Sequence, residues 1–353
     1  MAHKLLELKT GTLLKNKQEW IRNEILKKIN QGVYVEKLPS LRELSKEYDA
    51  NVITIQKSLH PLINEGLLKI KKCKGIYIEG KKQLCIGIVG KAGKEYFFAD
   101  NNYGGAVFSH IFKHILEKGD YFAFHQKTNQ ANYGHLFRNN SGTNGLIIFA
   151  PDIDEKKELE FIRLPYIVIG STFKNSDINY VDSDNESDSE KAVEKLINEG
   201  CKKIVFLYGG NNKNITMALR LQGYKKALKK HGISYDPNLV LNFTMERENT
   251  NEMVQYLFKN SLAYPHAIFG ASFDATKIFL ENLPLTILKN IGLVVYDDHK
   301  KELRSLGISY YIVSQPLEKI GKTAIAGLYK LMEGNTKEKI QVCLESDLVK
   351  INF

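Results

Sequence analysis

The chain has 353 residues, 43% of them hydrophobic and 25% charged, which bounds it to about two or three globular domains with ordinary cores. No apolar run reaches the ~18–20 residues of a membrane span, and the N-terminus lacks the apolar region and small-residue cleavage site of a secretory leader. Cys73, Cys85, Cys201 and Cys343 are scattered without a CxxC pair, so a disulfide framework is excluded and a reduced, cytoplasmic protein with no membrane contact is expected.

Net charge is +10, and it is unevenly spread. Residues 1–82 hold 17 Lys+Arg against 9 Asp+Glu, whereas the remaining 271 residues hold 33 against 31. The excess positive charge therefore sits in the first quarter of the chain, as in a phosphate-binding module attached to a body with no such need. A basic, merely solubilising N-terminus is the plainer alternative.

In chain order, residues 17–30 form an amphipathic pattern with Trp20, Ile21, Ile25 and Ile29 on one face. Pro39-Ser40 with Glu43 is a capping box that opens a short helix carrying Leu41, Leu44 and Tyr48. Asp49-Ala50-Asn51 makes a turn, and Asn51 suits the N-cap of a second helix. Its stripe is Ile55, Leu59, Leu62 and Ile63, with Thr54, Gln56 and Lys57 off it. Gly66 ends that helix, and residues 67–72 and 75–79 read as two strands. Lys71, Lys72 and Lys74 crowd the turn between them. Three helices and a basic hairpin is the order of a winged helix-turn-helix, whose second helix enters a major groove and whose wing reaches the backbone. Residues 81–83 are the linker.

From Leu84 the pattern changes. Residues 84–90 are a continuous apolar run ending in glycine, as in a strand buried on both faces. Similar runs recur at 145–149, 166–169, 203–208, 267–269 and 291–295. Helical stretches lie at 105–118, 189–199, 219–231, 251–260 and 274–281, and the acidic 182–190 segment reads as a loop leading into a helix. This alternation predicts parallel α/β sheets. About 270 residues is large for one sheet, so two lobes with a ligand cleft at the strand carboxyl ends are expected.

The chemistry-bearing residues admit two readings each. Arg220, near the start of a helix, either points its fork into the cleft or lies on the surface. Asp274 and Asp297 follow strands closely, and either accept hydrogen bonds from vicinal hydroxyls or cap helices. Tyr96, Phe97 and Phe98 either wall a sugar-sized pocket or pack on the neighbouring lobe. His110 and His114 have metal-ligand spacing but no third ligand, so no metal is expected. No nucleophile–base motif stands out, which argues against an enzyme.

Leu38-Pro39-Ser40-Leu41-Arg42-Glu43-Leu44 and Asn51-Val52-Ile53-Thr54-Ile55-Gln56-Lys57-Ser58-Leu59 resemble the second and recognition helices of the GntR-type winged helix, and the likeness covers about residues 14–80. Val52 stands where the family has arginine, which implies an altered operator. The resemblance implies DNA contacts at Ser40, Arg42, Asn51, Thr54, Gln56 and Lys57, joined by the wing lysines. Thr54 and Gln56 are the base-edge readers; Arg42, Lys57, Lys71, Lys72 and Lys74 are the phosphate anchors. Residues 84–353 resemble the sugar-sensing body of LacI/GalR-type regulators, through Asp184-Asn185, Arg220-Leu221-Gln222-Gly223-Tyr224, Val294-Val295-Tyr296-Asp297-Asp298 and Ser314-Gln315-Pro316. That likeness implies effector contacts at Asp184, Thr216, Arg220, Phe273, Asp274, Asp297 and Gln315, beside the aromatic residues 96–98. Phe273 replaces a family asparagine.

The expected fold is thus α/β: an N-terminal winged helix-turn-helix at 1–80 and a two-lobed, parallel-sheet, periplasmic-binding-protein-like effector and dimerisation domain at 84–353. The expected function is that of a ligand-responsive transcription regulator, without a cofactor. As a homodimer on a pseudo-palindromic operator of double-stranded DNA, it would repress a sugar-utilisation operon until a monosaccharide binds between the lobes. A sugar-binding domain with an enzymatic or non-sugar sensing role is the alternative.

Overall fold

The computed structural model describes residues 17–29, 32–72, 74–80, 83–91, 97–98, 103–128, 133, 142–210, 213–243, 265–297, 302–334 and 338–353. The chain divides into two compact units, Met1–Gln83 and Leu84–Phe353. Lys81 and Lys82 of the expected linker and the stretch 251–260, expected to be helical, lie outside the described residues.

In the first unit α1 (17–29), α2 (Leu41–Glu47) and α3 (Val52–Asn64) precede the hairpin β1 (Leu68–Lys71) and β2 (Gly75–Ile78). The capping box of α2 is formed: Glu43 N–H donates to Ser40 Oγ at 3.3 Å, and Ser40 N–H donates to Glu43 Oε2 at 2.7 Å. Asn51 Oδ1 caps α3 by accepting from Thr54 N–H at 2.8 Å. Gly66, at φ +75°, and Gly75, at φ +108°, take the left-handed turns after α3 and at the hairpin tip. The hairpin is antiparallel, with Leu68 opposite Ile78 and Lys71 opposite Gly75. Ile21, Ile25, Leu38, Leu44, Ile55, Leu59, Leu62, Leu68 and Ile76 form its core. Trp20 stays half exposed and sets its ring edge-on to Tyr48, centroids 5.9 Å apart.

The second unit holds two six-stranded sheets. One contains β3 (Cys85–Gly90), β4 (Tyr121–Gln126), β5 (Gly145–Phe149), β6 (Tyr166–Ile169), β7 (Tyr180–Ser183) and β13 (Gln341–Leu344) in the order 4-3-5-6-7-13, all parallel. The other contains β8 (Ile204–Gly209), β9 (Val240–Phe243), β10 (Ala267–Gly270), β11 (Gly292–Tyr296), β12 (Tyr310–Ser314) and β14 (Asp347–Ile351) in the order 9-8-10-11-12-14, with only β14 antiparallel. Each lobe thus has the doubly wound 2-1-3-4-5 order, with its switch point between the first and third strands.

The longer helices are α4 (Tyr103–Glu117), α5 (Asn185–Asn198), α6 (Ile215–Lys230), α7 (Phe273–Glu281) and α8 (Leu317–Met332). Helix α8 packs against α4 and the first sheet, although it follows β12 of the second. The chain therefore changes lobe after β7, after β12 and after β13. The acidic stretch 182–190 is mostly helix, not loop: α5 begins at Asn185, with Asp184 as its N-cap and Glu186 and Asp188 in its first turn. Acidic side chains complement the positive end of the helix dipole there. Strands β4, β7, β9, β12, β13 and β14 escaped the sequence reading: β7, β9, β13 and β14 are short and broken by polar residues, whereas β4 and β12 carry apolar runs, Tyr121–Phe124 and Tyr310–Val313, that the reading passed over.

Candidate functional site

Helix α3 presents two sharply different faces. Thr54, Ile55, Ser58, Leu59 and Leu62 are buried, while Val52, Ile53, Gln56, Lys57 and His60 are exposed. Thr54 was expected to read bases. It is only 6% exposed, because the Asn51 cap turns the third residue of the helix toward the core, and Ser58 Oγ–H donates to its carbonyl at 2.9 Å. Gln56 and Lys57 lie on the open face as expected. Arg42, Lys71, Lys72 and Lys74 are exposed too, with Lys71 Nζ 4.1 Å from the centroid of the Tyr77 ring. Ser40 and Asn51 serve as helix caps.

In the second unit a cavity of about 330 Å³ opens at the carboxyl ends of strands from both lobes. Its lining includes Ala150 after β5, Gly170 after β6, Gly209 at the end of β8 and Ser272 after β10, the places where doubly wound sheets bind ligands. Of the expected effector residues, Thr216, Arg220, Phe273, Asp274, Asp297 and Gln315 line it together.

Arg220 is the best-held side chain in this site. Asn214 Oδ1 caps α6 by accepting from Met217 N–H at 3.2 Å, and one turn further Arg220 is buried to 4% exposure. Its Nε donates to Asn185 Oδ1 at 2.8 Å, its Nη1 donates to the Ala271 carbonyl at 2.5 Å, and its guanidinium lies 3.4 Å from the centroid of the Tyr296 ring. Cation–π contact and two fixed hydrogen bonds set the plane of the fork. Among the described residues no partner takes Nη2.

Three carboxylates share the cavity. Asp297 directly follows β11 in a left-handed conformation, φ +67°, a strained backbone of the kind that concentrates at ligand sites. Both its oxygens accept from Gln315 Nε2 at 2.6 Å, and Gln315 Oε1 in turn accepts from Ser183 Oγ–H at 2.6 Å. Asp274 has a raised pKa, first through burial, reinforced by Glu302 and Asp297 and opposed by Lys277. Asp182, which sequence reasoning missed, is fully buried in β7. Burial pushes its pKa up to about 6, against hydrogen bonds from Ser183 N–H, Thr172 Oγ–H and Asn185 Nδ2–H and the charge of Arg220. No signal in the sequence marks it, because the strand that buries this carboxylate itself reads as part of an acidic loop. Tyr103 and Met217 also line the cavity and were not foreseen.

The other expected residues lie elsewhere. Asp184 is the cap of α5, its Oδ1 accepting from Ser187 N–H at 3.3 Å. Phe97 is buried in the first lobe among Phe108, Phe124 and Phe149, and Phe98 lies against Phe108 and Phe124. Phe97 thus packs within its own lobe, in a phenylalanine cluster on α4 and β4, and Phe98 lies half exposed against the same cluster. Tyr96 lies outside the described residues. Among the described residues no group of three or more His, Cys, Asp or Glu is placed to hold a metal ion, and no helix is long and apolar enough to cross a membrane.

These two sites match two known domain types. Residues 17–78 match the bacterial regulatory proteins of the gntR family, and residues 193–350 match the periplasmic binding protein-like domain. The chain joins a GntR-type helix-turn-helix domain to a periplasmic-binding-protein-like domain. Among its relatives, the arabinose metabolism transcriptional repressor of Halalkalibacterium halodurans is 23% identical over 92% of this chain and 92% of its own. The transcriptional regulator MalR of Streptococcus pneumoniae serotype 4 is 35% identical over 51% of this chain and 53% of its own. In fold, a solved complex of the transcriptional regulator CelR with cellobiose superposes with a TM-score of 0.64 at 18% identity, over 88% of this chain and 98% of that one. A LacI-family regulatory protein from Chloroflexus aggregans superposes with a TM-score of 0.65 at 18% identity, over 75% and 96%.

Proposed function

We propose that this protein is a sugar-responsive transcriptional repressor that binds a pseudo-palindromic operator as a homodimer and releases it when a monosaccharide occupies the interlobe cavity. The observation that carries the reading is the Arg220 fork, locked in plane by Asn185, Ala271 and Tyr296 in a cavity it shares with Asp182, Asp274 and Asp297. Oriented donors and acceptors of this kind suit vicinal hydroxyls. Among the described lining residues three carboxylates face one cation, so a neutral sugar fits better than a phosphorylated one. The size supports a single sugar, since about 330 Å³ is at the lower end of small-molecule sites. The H. halodurans relative, named for arabinose metabolism and alike over nearly the whole chain, supports placing arabinose first in any panel. The open face of α3 and the wing lysines would hold the DNA, with Arg42 and Lys57 on phosphates. Phe98, Leu116 and Tyr121, exposed beside the edge strand β4, support a subunit contact there. A cytoplasmic location and binding without turnover belong to the same reading.

Thermal unfolding of the purified protein against free and phosphorylated monosaccharides tests it. A true effector at ~100 times its dissociation constant stabilises the protein by ~2.7 kcal/mol, and Arg220→Ala abolishes that shift. A panel in which no sugar raises the melting temperature refutes the sensing role.

A further inference from the structure

We infer that Ile53 is a specificity-determining residue, reading the C5-methyl group of a thymine in the operator's major groove. The inference rests on the DNA-reading role of α3 and goes beyond it by naming the atom read. A lone exposed isoleucine needs no explanation, but Ile53 is not alone. It is 64% exposed, Val52 beside it is 36% exposed, and both lie in the first turn of α3, the part of a recognition helix that meets base edges. The exposed stripe continues through Gln56, Lys57, His60 and Asn64. None of these is acidic, and the first turn of α3 holds no acidic residue, although the positive end of a helix favours one. A face that avoids negative charge where the dipole invites it is suited to a polyanion.

Within that face Val52 and Ile53 have no hydrogen-bonding side-chain atoms. They cannot pair with guanine, with cytosine N4 or with adenine N6 and N7. The thymine methyl is the apolar feature that a base pair displays in the major groove, and side-chain methyls are its natural contacts. Thr54, whose methyl and hydroxyl would otherwise compete for this task, is turned into the core. Gln56, one turn on, has the paired donor and acceptor that suit adenine. The half-site therefore contains at least one thymine whose methyl matters.

The test uses the full-length protein. Binding sequences are first enriched from a random duplex pool. Each thymine in the enriched site is then replaced singly by deoxyuridine, which removes only the methyl group, and dissociation constants are measured for the wild type and for Ile53→Ser. Losing one buried methyl weakens binding about fourfold. The expected result is one thymine per half-site at which deoxyuridine costs the wild type about fourfold and costs Ile53→Ser nothing. Unchanged affinity at every deoxyuridine, or the same loss in both proteins, overturns the role of Ile53 while leaving DNA binding intact. A pool from which nothing is enriched overturns the DNA-reading role itself, and this inference with it. Ile53→Ser removes an exposed side chain, and an unchanged melting temperature separates lost contact from lost fold.

Discussion

Asp182 is the residue in the cavity whose ionisation burial most opposes. Its neighbours do not neutralise it: Thr172, Ser183 and Asn185 donate hydrogen bonds, and Arg220 acts through its charge. Burial nevertheless dominates and raises the carboxyl to about 6, from 3.8 in an unhindered aspartate. An acid whose pKa is raised in the folded state binds more protons folded than unfolded between those two values, so its contribution to stability falls as pH rises through that window. Below about pH 4 the group is protonated in both states and contributes nothing; above about pH 6 the full cost is present. Asp182→Asn removes the titration. Whatever constant offset the amide brings, the stability of the variant relative to the wild type should therefore grow from pH 4 to pH 6 and level off, by up to about 3 kcal/mol. Urea unfolding of both proteins across that range measures it, and a difference that stays flat with pH shows that Asp182 is not buried as described. Because Asn185 links Asp182 to Arg220 through hydrogen bonds at 3.2 and 2.8 Å, the same titration reaches the arginine that lines the cavity.

At the scale of elements, the Arg220-Leu221-Gln222-Gly223-Tyr224 stretch shows how one face of a helix packs against its neighbours and lines the cavity at once. Tyr224 is buried and its hydroxyl donates to the Ile204 carbonyl at 2.8 Å. Gly223 lies so close to α5 that an added Cβ would stand 2.2 Å from the Glu186 carbonyl oxygen and 2.8 Å from Ser189 Cβ. The bond from Arg220 to Asn185 crosses this same contact between α6 and α5. Gly223→Ala must push the two helices apart, against the backbone of α5 and not a yielding side-chain tip. It should lower the stability of the 84–353 unit by about 1–3 kcal/mol and weaken effector binding as well, since Arg220 and Asn185 separate. An unfolding midpoint equal to that of the wild type would be incompatible with this packing. Much at this scale was legible in the sequence: the capping box at Ser40, the Asn51 cap, the hairpin and the two-face-buried strands all follow local rules that tertiary contacts left undisturbed. The inward turn of Thr54 was not legible, because the buried stripe of α3 is one residue wider than the apolar residues alone reveal. Nor was the placement of Phe97, because periodicity does not say whether a loop aromatic faces its own lobe or a cavity.

On the scale of the whole molecule, the two kinds of domain and the change near Leu84 were visible in charge and hydropathy, whereas the three exchanges between lobes were not. They depend on α8 returning to the first sheet and on β13 and β14 completing different sheets, which no local pattern encodes. Those exchanges let the lobes grip each other around the cavity. Thr216 Oγ–H donates to the Gly170 carbonyl at 2.9 Å, Ile153 N–H donates to the Lys213 carbonyl at 3.0 Å, and Lys213 pairs with Asp154 at 2.6 Å. Ile215, from the second lobe's α6, is buried in a cluster with Leu146 and Ile148 of the first. A ligand held between such lobes alters an equilibrium only by its differential affinity for the two states, and that coupling is reciprocal. If the sugar weakens operator binding by some factor, saturating operator must weaken sugar binding by the same factor, within a range of roughly 5–150-fold. Sugar titrations monitored by calorimetry, with and without saturating operator, should return that factor. Operator titrations with and without saturating sugar should return it again. Arg220→Ala should leave the operator affinity of the sugar-free protein unchanged and abolish the sugar's effect on it. A factor of one in both directions would mean that sugar and operator are uncoupled, and that the cavity senses its ligand for some purpose other than release from DNA.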